Sequence, residues 1–314
     1  MVHPKASKTD RMTETDDQKK GPQTDLGAGT GTWGQWLSDR AIRGVIALLL
    51  ALPYRWRVPL CGWVMARLIA PLAGWPKRIR DNLALTLPDL SDAQINRMVA
   101  RVPENIGRTV IEIYSGAEFI ARTTELPLTG DGVAALEAAH AAKRPVILAT
   151  GHFGNYDAVR AALIARGYSL GALYRPMTNP YFNDHYVRAI GTIGQPIFER
   201  GRHGMGQMLK HLRGGGMLGI LPDQRMHKGV KLTFFGHEAL TALSAADMAL
   251  KYDCLLIPTY AIRQPDGLSF QIIVDPPIPH GTPEAMTQAL NDNLERLIRK
   301  YPEQWFWIHR RWRP

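Results

Sequence analysis

The sequence predicts an α/β fold: a mixed central sheet flanked by helices, with an N-terminal hydrophobic helical region that anchors the chain to a membrane. Three observations lead there. From Pro127 onward, short apolar runs alternate with longer stretches of helical periodicity, which is typical of a sheet covered on both faces. The chain has 314 residues, 45% of them hydrophobic, enough to bury a large core. Two apolar runs near the N-terminus predict the anchor.

We expect three regions along the chain: a disordered polar leader over 1–32, a hydrophobic membrane-associated helical region over 33–76, and an α/β domain over 77–314. The leader lacks the apolar periodicity that a packed core requires, and it has no apolar centre like that of a secretory signal. Its glycine cluster at 27–31 does not fit a phosphate loop, because no strand precedes it and no Gly-Lys-Ser/Thr follows.

The hydrophobic region holds two apolar runs, 42–52 and 58–72, with arginines before, between and within them. Neither run cleanly reaches the roughly 20 apolar residues that a membrane-spanning helix needs. Tryptophans and arginines beside short apolar helices are typical of an interfacial anchor. We favour that interpretation over the alternative, a buried helical hairpin in a soluble core.

Helix and strand patterns then follow one another. Ser91 and Gln94 form a capping box at the start of a helix with one apolar face, and Pro103 is expected to kink it. Further helices are expected at 133–142, 157–166, 205–212 and 283–300, and strands at 145–149, 169–174, 197–198, 217–221, 232–235, 255–262 and 268–274.

The stretch 149–157 joins one of these strands to a helix through a turn. The turn holds His152, and Asp157 follows five positions later, just inside the helix. On a regular helix, side chains five residues apart point about 140° apart, so the two can meet only if the turn backbone is not helical. Gly151 and Gly154 permit such a turn.

His152 and Asp157 are therefore predicted to form a catalytic pair for acyl transfer. Asp157 would accept a hydrogen bond from one imidazole nitrogen and fix the tautomer, leaving the other nitrogen to take a proton from a hydroxyl. Amides of the turn and of the helix N-terminus could donate to a developing oxyanion. The alternative is that the histidine simply packs at a strand end and that the aspartate is an ordinary residue of the first helical turn. This alternative stays open, because the pattern is short.

The charge balance favours an anionic partner. Lys+Arg 38 against Asp+Glu 28 gives a net charge of +10, which suits nucleic acid, an anionic membrane surface, or an acidic protein or ligand. Cys61 and Cys254 lie far apart in apolar surroundings. We expect buried thiols there, rather than a disulfide framework or a four-cysteine zinc site.

Five blocks of sequence, taken in order, resemble one family. The central block, 151–157, resembles the His-x4-Asp/Glu motif of glycerolipid and lipid A acyltransferases. Within that superfamily, 33–314 is most similar to the lipid A biosynthesis late acyltransferases (lauroyl/myristoyl acyltransferases). The other blocks are Arg80-Asp81-Asn82-Leu83 with Leu87-Pro88, then 174–180, then 221–224 followed by 234–236, and finally 301–312.

The resemblance implies a glycerolipid-acyltransferase-like fold and the transfer of a fatty acyl chain from the thioester of acyl carrier protein to a hydroxyl of a lipid A precursor, in lipopolysaccharide biosynthesis. It implies no metal or other cofactor. The implied partners are acyl carrier protein, an anionic glycolipid acceptor and the membrane surface, without nucleic acid, at the cytoplasmic face of the bacterial inner membrane. Two features differ from many lipid A enzymes: the polar leader, and an aspartate rather than a glutamate at Asp157. Because of these differences, another glycolipid or a lysophospholipid stays open as an alternative acceptor.

Four further residues are candidates for substrate binding. The resemblance places Arg175 beside the pocket, for anion binding or oxyanion support; the alternative is a surface arginine. Asp223 and Gln224 follow a buried strand, where site residues gather in α/β sheets, or they form a simple polar turn. Arg202 is a candidate for a phosphate contact. A membrane interface or a glycolipid headgroup would also suit the C-terminal side chains Arg310, Arg311 and Arg313 with Trp307 and Trp312.

Three rival functions fit parts of the sequence. A Gly-x-Ser-x-Gly pattern at 167–171 follows a helix and precedes a strand, the reverse of a serine-hydrolase elbow, so Ser169 is expected to be structural. His203 and His211 lack a convergent carboxylate pattern for a metal. The third rival, a non-catalytic basic protein that binds membranes or nucleic acid, predicts salt-dependent binding without acyl transfer.

Overall fold

The computed structural model describes residues 31–226 and 229–312. The predicted disordered leader therefore lies outside the described residues, apart from its last two. The helices are α1 (Trp33–Leu50), α2 (Tyr54–Val64), α3 (Ala70–Leu72), α4 (Trp75–Thr86), α5 (Asp92–Tyr114), α6 (Ala117–Thr123), α7 (Val133–Ala141), α8 (Tyr156–Ala165), α9 (Pro180–Ile193), α10 (Arg202–Arg213), α11 (Ser244–Lys251) and α12 (Pro283–Lys300). A π-helical segment, Met65–Ile69, joins α2 to α3, and a 3₁₀ turn, Pro302–Gln304, follows α12.

The strands are β1 (Leu128–Thr129), β2 (Val146–Ala149), β3 (Leu170–Tyr174), β4 (Ile197–Glu199), β5 (Met217–Ile220), β6 (Val230–Phe234), β7 (His237–Thr241), β8 (Leu255–Arg263) and β9 (Phe270–Val274). The sequence pattern does not predict β1, which has two residues, or β7, which carries several polar side chains. β6 and β7 form a separate antiparallel hairpin.

The central sheet is mixed, as predicted. Its seven described strands lie in the order β1-β9-β8-β2-β5-β3-β4, and neighbouring strands run parallel except for β8 and β9. β8 and β9 are joined by a short turn, which permits antiparallel pairing but is too short for a parallel crossover.

Both faces of β2 are buried, at the centre of the sheet. Val146 and Leu148 belong to a hydrophobic cluster on one face, whereas Ile147 and Ala149 belong to another cluster on the opposite face. This explains why β2 reads as an uninterrupted apolar run rather than as an alternating one. The predicted arrangement, a sheet flanked by helices, is confirmed.

The carboxyl ends of β2 and β5 lie side by side. Ala149 at the end of β2 pairs with Ile220 at the end of β5, and the amide of Thr150 donates to the carbonyl oxygen of Ile220 at 2.9 Å. Because parallel strands end at the same edge of a sheet, the segments that follow β2 and β5 are brought together there. Those segments carry His152 and Asp223.

The N-terminal helices combine packed and exposed apolar surfaces. In α2, the side chains of Tyr54, Val58 and Cys61 are buried, whereas Trp56 and Trp63 on the same helix are exposed. Among the residues described, no single helix has the length and apolar character to cross a membrane. Residues 54–72 and 75–86 meet that test only as a pair, and the pair is bent by 88°.

Helix α5 begins with the predicted capping box. The Ser91 hydroxyl accepts from the amide of Gln94, and the Gln94 side chain accepts from the amide of Ser91 at 2.8 Å. The helix continues through Pro103 to its last residue. Where α5 packs on α2, a Cβ atom at Gly107 would lie 2.6 Å from the carbonyl oxygen of Cys61, so this close packing requires glycine.

Candidate active site

The turn between β2 and α8 holds His152, as the sequence predicts. Gly154 in this turn has a φ of 54°, a conformation that favours glycine, and a side chain there would overlap the carbonyl oxygen of Ala261. Asn155 ends the turn as the N-cap of α8, and its side-chain oxygen accepts from the amide of Asp157 at 3.0 Å.

A buried polar network fixes the turn from the side of α5. The Asn155 amide group donates to Glu112 at 2.7 Å, and the Arg263 guanidinium, from β8, donates to both carboxylate oxygens of Glu112. Thr109 donates to the carbonyl oxygen of Gly154 at 3.0 Å. The charges of Glu112 and Arg263 compensate each other, which a fully buried carboxylate requires.

The carboxylate that holds His152 belongs to Asp223. The imidazole Nδ1 of His152 lies 2.8 Å from Asp223 Oδ1, and the backbone amide of His152 donates to Asp223 Oδ2 at 2.7 Å. The Trp305 indole donates to the same oxygen at 3.0 Å. Three contacts therefore fix the carboxylate of a residue that is only 2% exposed.

These contacts explain the acidity of Asp223. Burial by itself would raise the pKa of this carboxyl group, but the charge of the His152 ring and the hydrogen bonds from His152 hold the pKa well below its usual range. Asp223 is therefore a carboxylate at neutral pH. An ionised acceptor at Nδ1 favours the tautomer that carries its proton there, which leaves Nε2 of His152 free to accept a proton.

The structure corrects the predicted hydrogen bond between His152 and Asp157. The Asp157 carboxylate is buried and accepts from Arg160, with Oδ1 2.9 Å from Nε. Arg160 also donates to the carbonyl oxygens of Ile190 and Gly194. Asp157 lies in the first turn of α8, where a residue three positions later is its neighbour on the helix surface, so its carboxylate turns to Arg160 rather than back to the histidine.

The other nitrogen of His152 faces polar and aromatic groups. Nε2 lies 3.2 Å from the side-chain nitrogen of Gln224, and the imidazole ring of His309 is 4.9 Å from that of His152. Two effects lower the pKa of His309 to about 3: the larger is burial, and the second is the charge of the nearby His152. His309 is therefore neutral at pH 7, and its buried Nε2 atom has no hydrogen-bond partner among the described residues.

An apolar cavity of about 260 Å³ reaches His152. We call it the front cavity. The side chains that line it come mainly from α5, α9 and the C-terminal segment, and most of them are apolar or aromatic. They include Ile106, Val110, Ile113, Tyr114, Met177, Phe182 and Phe306. A cavity of this character suits a hydrocarbon chain, whose burial is favourable wherever apolar surface leaves water.

The turn amides are less available to an oxyanion than the sequence predicts. The amide of His152 donates to Asp223, that of Gly154 to the carbonyl oxygen of Gln304, and that of Asp157 to Asn155. These three donors already have acceptors. The side-chain amide of Gln224, which is exposed and lies beside Nε2 of His152, is a donor that an oxyanion could reach.

The four predicted substrate-binding residues separate into two groups. Asp223 and Gln224 lie at His152, but Asp223 is buried against the histidine instead of facing the front cavity. Arg175 follows β3 and Arg202 begins α10, and both are exposed. Neither arginine lines the front cavity. Neither guanidinium group makes a hydrogen bond or an ion pair with another of the described residues. The structure therefore does not bring them together with His152.

Part of the C-terminal cluster lies in the core, which corrects the expectation of a headgroup surface for Trp307 and Arg311. Trp307 is buried, as is the neighbouring Trp305, whereas Arg310 is exposed and Arg313 lies outside the described residues. Arg311 is 1% exposed and donates to the carbonyl oxygen of Leu240 and the hydroxyl of Thr241 on β7. The sequence does not predict this, because alternating arginines and tryptophans are equally typical of an interface.

The rival sites do not gain support. Ser169 lies between α8 and β3, as expected for a structural residue, and His211 contacts the carbonyl oxygens of Ser169 and Met217. Cys61 and Cys254 are buried free thiols, as predicted. Within 31–226 and 229–312, the one group of histidine and carboxylate atoms close enough together to hold a metal ion is formed by His152, Asp223 and His309. That the enzyme needs no cofactor stays a prediction.

A carboxylate-oriented imidazole beside an apolar cavity defines an enzyme that can activate a hydroxyl next to a bound hydrocarbon chain, as O-acyltransferases do. The family model of bacterial lipid A biosynthesis acyltransferases matches residues 28–314. The chain therefore belongs to this family and is an O-acyltransferase.

Individual relatives agree with this family. The chain is 27% identical to the lipid A biosynthesis lauroyltransferase of Escherichia coli over 294 residues, which cover 90% of this chain and 92% of the relative. It is 26% identical to the lipid A biosynthesis acyltransferase of Haemophilus influenzae over 292 residues, 88% and 86% of the two chains. A phosphatidylinositol mannoside acyltransferase of Mycobacterium tuberculosis is 23% identical over 245 residues, 76% and 78% of the two chains.

Proposed function

We propose that the protein transfers a fatty acyl chain from acyl carrier protein thioester to a hydroxyl of a lipid A precursor. The observation that carries this proposal is the position of His152, with Nδ1 held by a buried carboxylate and its ring on the wall of an apolar cavity. The lipid A biosynthesis enzymes among the relatives support the acceptor.

In the proposed reaction, His152 is the general base. Its Nε2 takes the proton of the acceptor hydroxyl as the oxygen attacks the thioester carbonyl, forming a C–O bond and a tetrahedral oxyanion. The oxyanion collapses, the C–S bond breaks, and the carrier thiolate takes the proton back from His152. Asp223 stabilises the imidazolium between these steps. Gln224, now 3.2 Å from Nε2, exchanges this contact for the acceptor or the oxyanion.

The other predicted site residues receive roles at a distance from the base. Asp157 acts as a positioning residue, because its ion pair with Arg160 ties the start of α8 to the carbonyl oxygens at the end of α9. Arg175 follows β3, and Arg202 begins the helix after β4. Both belong to the carboxyl-end side of the sheet, where exposed guanidinium groups can contact the phosphates of an anionic glycolipid.

The proposed location is the cytoplasmic face of the bacterial inner membrane. The net charge of +10 suits anionic headgroups and an acidic carrier protein. Exposed apolar side chains on α1 to α3 provide a surface that an interfacial anchor would bury, among them Trp33, Leu48, Trp56, Trp63 and Leu72. The proposed reaction uses no metal or organic cofactor, and nucleic acid has no part in it.

The alternative proposal keeps the reaction and changes the acceptor. A relative matched over 76% of this chain, the mannoside acyltransferase of Mycobacterium tuberculosis, is named for a different glycolipid. Another glycolipid, or a lysophospholipid, would present the same chemical groups to His152: a hydroxyl next to an anionic headgroup.

Mass spectrometry of the lipids from cells with and without the gene tests the acceptor. We expect lipid A to lose one acyl chain in the absence of the protein, and a plasmid copy to restore it, whereas a plasmid copy with His152→Ala does not. Unchanged lipid A together with a change in another glycolipid would favour the alternative acceptor. Purified protein that transfers no acyl chain from acyl carrier protein to any lipid fraction would refute the proposal.

A further inference from the structure

A second cavity lies next to the front cavity. It has a volume of about 80 Å³, and we call it the rear cavity. Most of its lining surface is apolar. The aliphatic side chains come from the sheet strands, from α8 and α9 and from the segment after β5, and include Leu148, Val159, Leu170, Leu173, Ile190 and Leu221. Two side chains, those of Tyr156 and Tyr186, line both the front and the rear cavity.

The two tyrosines act as one partition. Tyr156 is the first residue of α8, four positions after His152, and Tyr186 lies on α9. Burial raises the pKa of Tyr186 to about 12 and that of Tyr156 well above its usual value, so both phenols stay neutral. The two rings lie at the boundary between two spaces that are both largely apolar.

The rear cavity can accommodate apolar atoms without leaving a buried charge unpaired. Its two charged side chains, Asp157 and Arg160, are paired with each other, and Arg160 also donates to two backbone carbonyl oxygens. The hydroxyl of Thr150 is a buried polar atom at this cavity without a partner in the described chain. An aliphatic lining around compensated charges is suited to the end of a hydrocarbon chain.

We propose that the Tyr156–Tyr186 pair sets the longest donor acyl chain that the enzyme uses, by closing the front cavity against the rear cavity. This inference rests on the proposed acyl transfer. A chain that fills the front cavity ends against the two rings, and each further methylene must displace a ring. Removing one ring joins the two cavities and gives a longer chain an apolar space.

The test compares donors of increasing length on three variants. The donors are dodecanoyl, tetradecanoyl and hexadecanoyl acyl carrier proteins, and the measured quantity is kcat/KM for the hexadecanoyl donor divided by kcat/KM for the dodecanoyl donor. We expect Tyr186→Ala to raise this ratio by at least about tenfold, which is the effect of one or two methylenes in an apolar pocket. Tyr186→Phe keeps the ring, so its ratio stays within about threefold of the wild-type ratio. Tyr174→Ala widens the rear cavity alone and leaves the ratio unchanged.

Two outcomes overturn the proposal. In the first, Tyr186→Ala is active and its chain-length preference is unchanged. In the second, Tyr186→Ala is folded but inactive with every donor. If the alanine variant does not fold, Tyr186→Leu removes the hydroxyl and most of the ring with a smaller loss of packing, and the same ratio decides. If the wild type transfers no chain at all, the proposed function fails, and the partition is tested by binding of dodecanoate and hexadecanoate. A preference for the longer acid that increases in Tyr186→Ala supports it, and an unchanged preference refutes it.

Discussion

Two buried carboxylates near His152 have different partners, and this separates their roles. Asp223 holds the imidazole at Nδ1 and accepts from the backbone of the same residue. Asp157 holds Arg160. A buried charge needs a compensating partner, and each carboxylate has one, so exchanging their roles would leave Arg160 without compensation.

The first prediction concerns these two carboxylates. Asp223→Asn offers Nδ1 an amide donor in place of an acceptor and favours the wrong tautomer, so we expect kcat to fall by about 10²–10⁴-fold. Asp157→Asn leaves the buried Arg160 uncompensated, so we expect a loss of about 3–5 kcal/mol in the free energy of unfolding, with a much smaller effect on kcat at temperatures where the variant is folded. Steady-state kinetics and denaturant unfolding of both variants measure this. The reverse pattern would restore Asp157 as the residue that orients His152.

The second prediction concerns the pH dependence of stability. Because the folded-state pKa of His309 is about 3 against an ordinary value of 6.5, the unfolded chain takes up a proton between these values and the folded chain does not. Stability is therefore retained above about pH 6.5 and decreases as the pH falls toward 3. We expect His309→Gln to lose less of its Tm between pH 7 and pH 5 than the wild type.

His203 provides the matched control, because it is an exposed histidine at the start of α10. His203→Gln is expected to lose as much Tm as the wild type over the same pH range. Equal losses in the wild type, His309→Gln and His203→Gln would mean that His309 does not carry the acid sensitivity.

At the scale of elements, α2 of the apolar N-terminal helices packs closely against α5. The approach is close at Gly62 and Gly107, where a Cβ atom would meet backbone or side-chain atoms of the other helix within 2.9 Å. Glu112, five residues further along α5, accepts from the side chain of Asn155 in the turn that holds His152. α5 therefore links the N-terminal helices to the residues beside His152.

The third prediction tests this packing. Gly107→Ala places a methyl group 2.6 Å from the carbonyl oxygen of Cys61, and overpacking of this kind costs about 1–3 kcal/mol. Gly44→Ala on α1 is the control, since a Cβ there meets nothing within 4 Å, and alanine in a helix is favoured by up to about 1 kcal/mol. Denaturant unfolding should show a loss for Gly107→Ala and none for Gly44→Ala. A stability of Gly107→Ala equal to that of the wild type would contradict the close packing.

At the scale of the whole molecule, apolar side chains are exposed mainly on one part of the chain, α1 to α4. Leu68 is 52% and Leu72 is 91% exposed, whereas exposed large apolar residues are rare in the rest of the described chain. A concentration of exposed apolar surface in a basic protein suits binding to an anionic membrane surface.

The fourth prediction follows from this surface. Leu68→Gln combined with Leu72→Gln should weaken binding to vesicles of anionic phospholipid by at least about tenfold, because burial of each leucine contributes about 1.5–3 kcal/mol. Val230→Gln is the control, as Val230 is 40% exposed on the β6–β7 hairpin, and its binding should match the wild type. Sedimentation with vesicles measures both, and unchanged binding of the double variant would refute the anchor at this surface.

The sequence by itself determined most of the strands, the turn that holds His152 and the family. These depend on local patterns: apolar runs, one of them ending in a glycine-containing turn, the capping box of α5, and blocks of residues in order. Only the tertiary structure decided which carboxylate meets His152. Paired residues of β2 and β5, such as Leu148 and Gly219, are 71 positions apart in the chain, yet the two strands end at the same edge of the sheet. The tertiary structure likewise buried Arg311 and placed the two tyrosines between the cavities, since side chains from distant elements converge through packing that no local pattern records.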